Sequence, residues 1–180
     1  MSARRVPRER AERMVPADQQ ERVKAAVREL IYKAGLLLDE ARFGEWLALC
    51  APDFVYRIKA YSPEIRKDMI WLEHDRAGME TLIEMLPRHN TDHGQLTRHA
   101  SVYTVELDAE RDEAAAVTSF ACYNTMLDGI NSHLDAGETR LFLIGKYHDR
   151  FRLEEGRPLF VERNVLLDTR RLDKGSHYPI

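Results

Sequence analysis

Leu36-Leu37-Leu38-Asp39-Glu40-Ala41-Arg42-Phe43-Gly44-Glu45-Trp46-Leu47-Ala48-Leu49-Cys50-Ala51-Pro52-Asp53-Phe54-Val55-Tyr56 is the stretch around which the chain is organised. Phe43, Trp46, Leu47 and Cys50 fall at i, i+3, i+4 and i+7, which places them in one apolar stripe on a helix. Pro52 is a helix stop, and Phe54-Val55-Tyr56 has the aromatic and β-branched bias of a strand. The stretch therefore predicts a helix that packs beneath a sheet beginning at Phe54.

Upstream, Val23, Ala26, Val27, Leu30, Ile31 and Ala34 repeat at helical spacing. With Asp18 as N-cap and Gly35 just past the end, they predict a first helix over Gln19 to Ala34. Downstream, the first strand is expected from Phe54 to about Tyr61, where Ser62-Pro63 breaks it. A short strand at Met69 to Leu72 follows. Asp75 is the expected cap of a third helix carrying Met79, Leu82, Ile83 and Leu86 and ended by Pro87, and Arg88 to Thr97 reads as a loop. From Arg98 the apolar period changes from 3.6 to 2. Strands are predicted through His99 to Leu107, Ala114 to Met126, Leu141 to Leu153, and from Pro158 to Leu167 after a turn at Glu155-Gly156-Arg157. Helices ahead of a curved antiparallel sheet make an α+β domain. The expected shape is a cystatin-like, nuclear-transport-factor-like cone with an internal pocket. Residues 1–17 read as a basic, disordered arm, 18–170 as one domain and 171–180 as a tail, polar until Tyr178-Pro179-Ile180.

The bulk chemistry excludes several functions. Over 180 residues, 27 basic and 30 acidic side chains give a net charge of −3, so there is no case for nucleic-acid binding. No run approaches the roughly 18 apolar residues of a membrane span. The two cysteines, Cys50 and Cys122, are far apart and in apolar settings, as expected of buried thiols in a reducing cytoplasm. Without Cys-x-x-Cys or Cys-x-His pairs, ligation of zinc or an iron–sulfur cluster by this chain is not expected. There is neither a Gly-x-Ser-x-Gly elbow nor a glycine-rich phosphate loop.

Three groupings could carry chemistry or contact. His89, Asp92 and His93, with His99 close behind, are iron-type ligands, but Pro87 and Gly94 put the first three in a loop instead of on one helical face. Asp39 could face Tyr56, His99 or Tyr103 across the mouth of the cone, where a buried carboxylate beside an imidazole can move protons. The competing reading is that Asp39 caps the second helix, beside Arg42 or another cation. Lys146, His148, Arg150 and Arg152 form a basic stripe on one strand, which suits either an acidic partner or solvent.

The segments Leu38-Asp39-Glu40-x-Arg42-Phe43-x-Glu45-Trp46-Leu47-Ala48-Leu49 and Asp53-Phe54-x-Tyr56 resemble the N-terminal signature of the small (β) subunits of Rieske-type aromatic-ring-hydroxylating oxygenases. Arg98-His99 resembles that family's central region. Gly145-x-Tyr147-x-Asp149-Arg150-Phe151-Arg152, Glu155-Gly156 and Leu166-Leu167-Asp168 are similar to its C-terminal hairpin. The resemblance implies a non-catalytic subunit with no catalytic, cofactor or metal residues of its own. A separate large (α) subunit would carry the Rieske 2Fe-2S cluster and mononuclear Fe(II), with three large and three small subunits assembled. A reductase, with or without a ferredoxin, would supply electrons from NAD(P)H. Cys122-Tyr123-Asn124-Thr125, the polar tail and the stretch from Tyr61 to Asp75 depart from the usual pattern. They suggest a branch acting on small polar compounds, of the methanesulfonate monooxygenase type. Two alternatives stay open: a free-standing dehydratase or isomerase using Asp39, Tyr56, His99 and Tyr103, and a small-ligand binding module.

Overall fold

The computed structural model describes residues 16–89, 94–127, 132–169 and 178–180. Residues 1–15 of the basic arm therefore lie outside the described residues, as do Asn90 to His93, while Pro16 and Ala17, read as the end of that arm, begin the first helix. The elements run α1 (Ala17–Asp39), α2 (Phe43–Leu47), β1 (Cys50–Ser62), β2 (Lys67–Asp75), α3 (Arg76–His89), β3 (Gln95–Asp108), β4 (Glu113–Thr125), α4 (Ser132–Asp135), β5 (Thr139–Glu154) and β6 (Arg157–Leu167). The six strands form one sheet in the order β2-β1-β6-β5-β4-β3. Helix α1 packs on β3 and β6, while α3 packs on β1 and β2, so the helices lie against the bent sheet as expected for an α+β cone.

One sheet pairing departs from the antiparallel expectation: β1 and β6 run parallel. A parallel pair needs a long crossover, and here everything between the first and last strands supplies it. The β3-β4-β5-β6 meander is antiparallel throughout. Alternation sets its inner face: Leu143, Gly145, Tyr147, Asp149 and Phe151 point inward from β5, and Lys146, His148 and Arg150 point outward.

Helix boundaries differ from the expectation in instructive ways. The first helix runs through Gly35 and ends at Asp39. Its stop is Ala41, which takes a left-handed φ of 55°. The Arg42 N–H reaches Leu37 O at 2.8 Å and the Ala41 N–H reaches Leu38 O at 3.2 Å, the paired bonds of a Schellman ending. Alanine in that conformation carries steric strain, and glycine, the usual marker of such a stop, is absent from position 41. Asp18 is not the N-cap; Pro16 occupies that position, and Asp18 instead pairs with Arg22 at 2.9 Å.

The second helix is a single turn, because the chain enters β1 at Cys50. Trp46, Leu47 and Cys50 are nonetheless buried together, and Arg76 secures the corner by donating to Leu47 O (2.8 Å) and Cys50 O (2.7 Å). Pro52 does not end a helix; it sits inside β1. The β1–β6 register shifts between Cys50 and Val55, an irregular stretch where a residue without an N–H is tolerated. Pro87 likewise lies within α3, which continues to His89. The expected cap of α3 is present: the Gly78 N–H donates to Asp75 Oδ1 at 2.8 Å.

Candidate functional site

Inside the cone the charged residues pair with one another. Arg163 and Asp149, both essentially inaccessible, form a bidentate ion pair at 2.9 and 2.8 Å. The Arg163 guanidinium lies 4.4 Å from the Tyr147 ring centroid and 4.6 Å from that of Phe160, a two-sided cation–π arrangement. Tyr147 in turn stacks on Phe120 at 4.0 Å. Desolvation alone would loosen the guanidinium proton, but the attraction and hydrogen bonds of Asp149 outweigh it and hold the proton more tightly than usual.

A second centre forms where α1 ends. Asp39 accepts the Arg98 main-chain N–H at 3.1 and 3.0 Å, and the Arg98 guanidinium at 2.5 Å. The Asp39 side chain therefore does not cap the second helix; its cation is Arg98, fifty-nine residues away in sequence. The other end of the Arg98 guanidinium donates to Pro179 O at 2.6 Å. Next to Pro179, the Ile180 N–H donates to the Tyr56 hydroxyl at 2.8 Å, and that hydroxyl donates to the Ile180 main-chain oxygen at 3.1 Å. Tyr56 is fully buried, which pushes its hydroxyl up to about 12. Asp39, Arg98, Pro179, Ile180 and Tyr56 thus form one chain of contacts linking α1, β3, β1 and residues 178–180.

A cleft of about 330 Å³ opens beside this centre, walled by Leu38, Phe43, Leu96, Leu127 and Tyr178, with Asp39 and Arg98 also in its lining. Of the four residues considered for proton transfer, the fold joins Asp39 and Tyr56 through this chain of contacts and leaves the other two elsewhere. His99 follows the inward Arg98 on β3, so its ring points outward, edge-on to Tyr123 at 5.5 Å. Tyr103, at the β3 bulge between Val102 and Thr104, is 63% exposed. Strand parity, which separates Arg98 from His99, decides this.

The residues that organise the interior, Arg98, Asp149 and Arg163, were not singled out as site residues on sequence grounds. A charged residue at an inward position of an alternating strand was the signal available. The basic stripe on β5 is not a free cationic surface. Lys146 pairs with Asp168 at 3.0 Å, Arg150 with Glu113 at 3.4 Å, and Arg152 with Asp53 at 2.6 Å.

Among the described residues, no three His, Cys, Asp or Glu side chains are placed to hold a metal. The His89 and Asp92–His93 grouping falls outside what the structure describes in side-chain detail. Cys50 starts β1 and Cys122 lies on β4, and burial pushes their thiols up to about 12 and about 11. Neither thiol belongs to a group of three metal-type side chains among the described residues.

A family model described as the SnoaL-like domain matches residues 20–164. Over 155 residues the chain is 56% identical to the methanesulfonate monooxygenase hydroxylase subunit beta of Methylosulfonomonas methylovora, covering 86% of each chain. It is 32% identical over 155 residues to the 2-aminobenzenesulfonate 2,3-dioxygenase subunit beta of an Alcaligenes species, covering 86% of this chain and 97% of that one. Among solved structures, a protein described as the beta subunit of an aromatic-ring-hydroxylating dioxygenase from Novosphingobium aromaticivorans matches with a TM-score of 0.71. That match is at 22% identity, covering 89% of this chain and 99% of the other, and it bears on the fold.

Proposed function

Because the chain belongs to the SnoaL-like domain family and, within it, to the small (β) subunits of Rieske-type oxygenases, we propose that it is the non-catalytic small subunit of an oxygenase acting on a small sulfonate. The observation that carries the reading is the 56% identity over 155 residues to the methanesulfonate monooxygenase β subunit. The interior agrees with a supporting role. Arg163 is matched to Asp149 and Arg98 to Asp39, so the charged groups of the cone are committed to holding it together.

In this proposal the Rieske 2Fe-2S cluster and the mononuclear Fe(II) reside in a large (α) partner, in an assembly of three large and three small subunits. When bound there, those groups supply oxygen activation and electron transfer; this chain's residues supply a rigid support. A reductase, with or without a ferredoxin, delivers electrons from NAD(P)H, and the complex works in the cytoplasm. The test is co-expression with a Rieske-type large subunit of the same operon. The two should co-purify, and the separated small subunit should contain no iron. A large subunit that is fully active and fully assembled without this chain would overturn the proposal.

A further inference from the structure

Register across the β3–β6 meander lines up two rows of outward side chains. Glu106, Ala115, Arg150 and Glu162 stand opposite one another on β3, β4, β5 and β6, and Thr104, Val117, His148 and Asn164 form the next row. Thr104, Glu106, Ala115, His148 and Arg150 are all exposed, so no described element covers them. Ala115 and Val117 are shorter than the side chains between which they stand, and β4 therefore forms the floor of a notch of about 190 Å³. That is several times the roughly 30 Å³ a water molecule takes up in the liquid, which leaves room for one long side chain.

The rim of this notch is rich in acceptors. Asn164 Oδ1 is buried and has no hydrogen-bond partner among the described residues. A buried acceptor left in this way is uncommon and calls for a donor. Glu106 makes no ion pair among the described residues. Arg150, a cation of the rim, is engaged by Glu113 at 3.4 Å and Glu162 at 3.7 Å. Glu162 also meets Arg57, which reaches Glu73 at 2.7 Å. A ribbon of charge thus crosses the outward face through Glu73, Arg57, Glu162, Arg150 and Glu113. With Glu106 it carries four carboxylates and two guanidiniums.

That imbalance selects the occupant. Two copies of the chain meeting through this face would set like charge against like charge, which opposes association. A metal ion is not served, because no three His, Cys, Asp or Glu side chains converge among the described residues. A cationic side chain supplies both the missing charge and the missing donors. Arginine's rigid fork of five donors suits an acceptor-lined notch better than lysine's point charge.

We propose that the outward face of β3–β6 is a docking surface for the partner subunit, and that the notch over Ala115 and Val117 receives an arginine side chain of that partner between Glu106 and Asn164. Naming the partner as the large oxygenase subunit rests on the proposed function, whereas the notch itself does not.

The test has two arms. In the first, the full chain alone is titrated with N-acetylarginine amide and followed by ¹⁵N amide chemical shifts. Shifts should concentrate at Glu106, Ala115, His148 and Asn164, should vanish in Glu106→Lys, and should be absent with the uncharged N-acetylcitrulline amide. Scattered or absent shifts overturn the notch. In the second arm, affinity for the co-expressed large subunit is measured at low and moderate salt. Glu106→Lys, shown to be folded by near-ultraviolet circular dichroism, should weaken binding about tenfold or more and flatten its salt dependence. If that variant does not fold, Glu106→Gln takes its place, with a smaller loss in the same direction. Glu29→Lys, the same change of charge on the exposed side of α1, should leave affinity within about twofold. A large subunit that binds both Glu106 variants as tightly as the parent, or that Glu29→Lys weakens equally, overturns the docking surface and leaves the proposed function standing. A parent chain that binds the arginine probe in the notch and no large subunit has the opposite meaning: the notch stands and the proposed function falls.

Discussion

Replacing Asp149 with alanine removes the counter-charge of Arg163 and leaves a guanidinium that cannot shed its proton in the interior. The structure allows the cost to be bounded. Both partners are effectively out of water, at 2% and 0% side-chain exposure, and their two hydrogen bonds are short and parallel. Breaking such a pair from one side costs about 3–5 kcal/mol. The aromatic faces of Tyr147 and Phe160 remain in the variant, but they are present in the parent too and so offset nothing. For a chain of this size the loss corresponds to a fall in Tm of roughly 6–20 °C. Removing both charges together, as Asp149→Leu with Arg163→Met, should be far milder. Replacing a buried pair by apolar residues of similar volume is often neutral or stabilising, by up to about 4 kcal/mol. The assay is urea unfolding of the parent, both single variants and the double variant, compared as a cycle at constant m-value. Additive single losses, or an Asp149→Ala cost below about 1 kcal/mol, would show that the pair is not formed as described.

Trp46 is 1% exposed and meets Phe54 and Tyr56 edge-on at 6.0 Å each, so Trp46→Ala should cost about 3–5 kcal/mol in a denaturation experiment, and loss of the variant should appear as unfolding or failed assembly. Gly145→Ala would place a methyl group 2.4 Å from Leu166 O, a main-chain atom that cannot swing away, so it should destabilise by about 1–3 kcal/mol or more by thermal melting. Burial raises Cys50, Cys122 and Tyr56 from 9.0, 9.0 and 10.0 to about 12, about 11 and about 12. The folded state then holds protons that the unfolded chain releases, so this contribution is intact below about pH 9 and is lost as pH rises toward 12. Urea unfolding between pH 8 and 11 should show stability falling with pH, and neither thiol should react with a disulfide reagent at pH 8 until the chain is unfolded.

The sequence by itself determined the α+β class, the order of helices and strands, the switch of period near Arg98 and the cap at Asp75, because these follow from local spacing and capping chemistry. It also carried the oxygenase β-subunit signature around Phe43, Trp46 and Tyr56. Periodicity misplaced the helix ends for definable reasons. Ala41 adopts a conformation that usually advertises itself as glycine, Pro52 sits at an irregular stretch of the β1–β6 register, and Pro87 lies in the last turn of α3 without ending it. Only the tertiary structure decided how the charges are used. Asp39 finds Arg98 across fifty-nine residues and Arg163 finds Asp149 across a strand pair, while Pro179 and Ile180, at the end of a polar tail sequence, are buried against Arg98 and Tyr56. A buried charge is stable only beside its counter-charge, and that partner is chosen by which strands the sheet brings together, a long-range fact that no local pattern contains. The opening stretch thus fixes where the cone begins, and the residues that close it come from the far end of the chain.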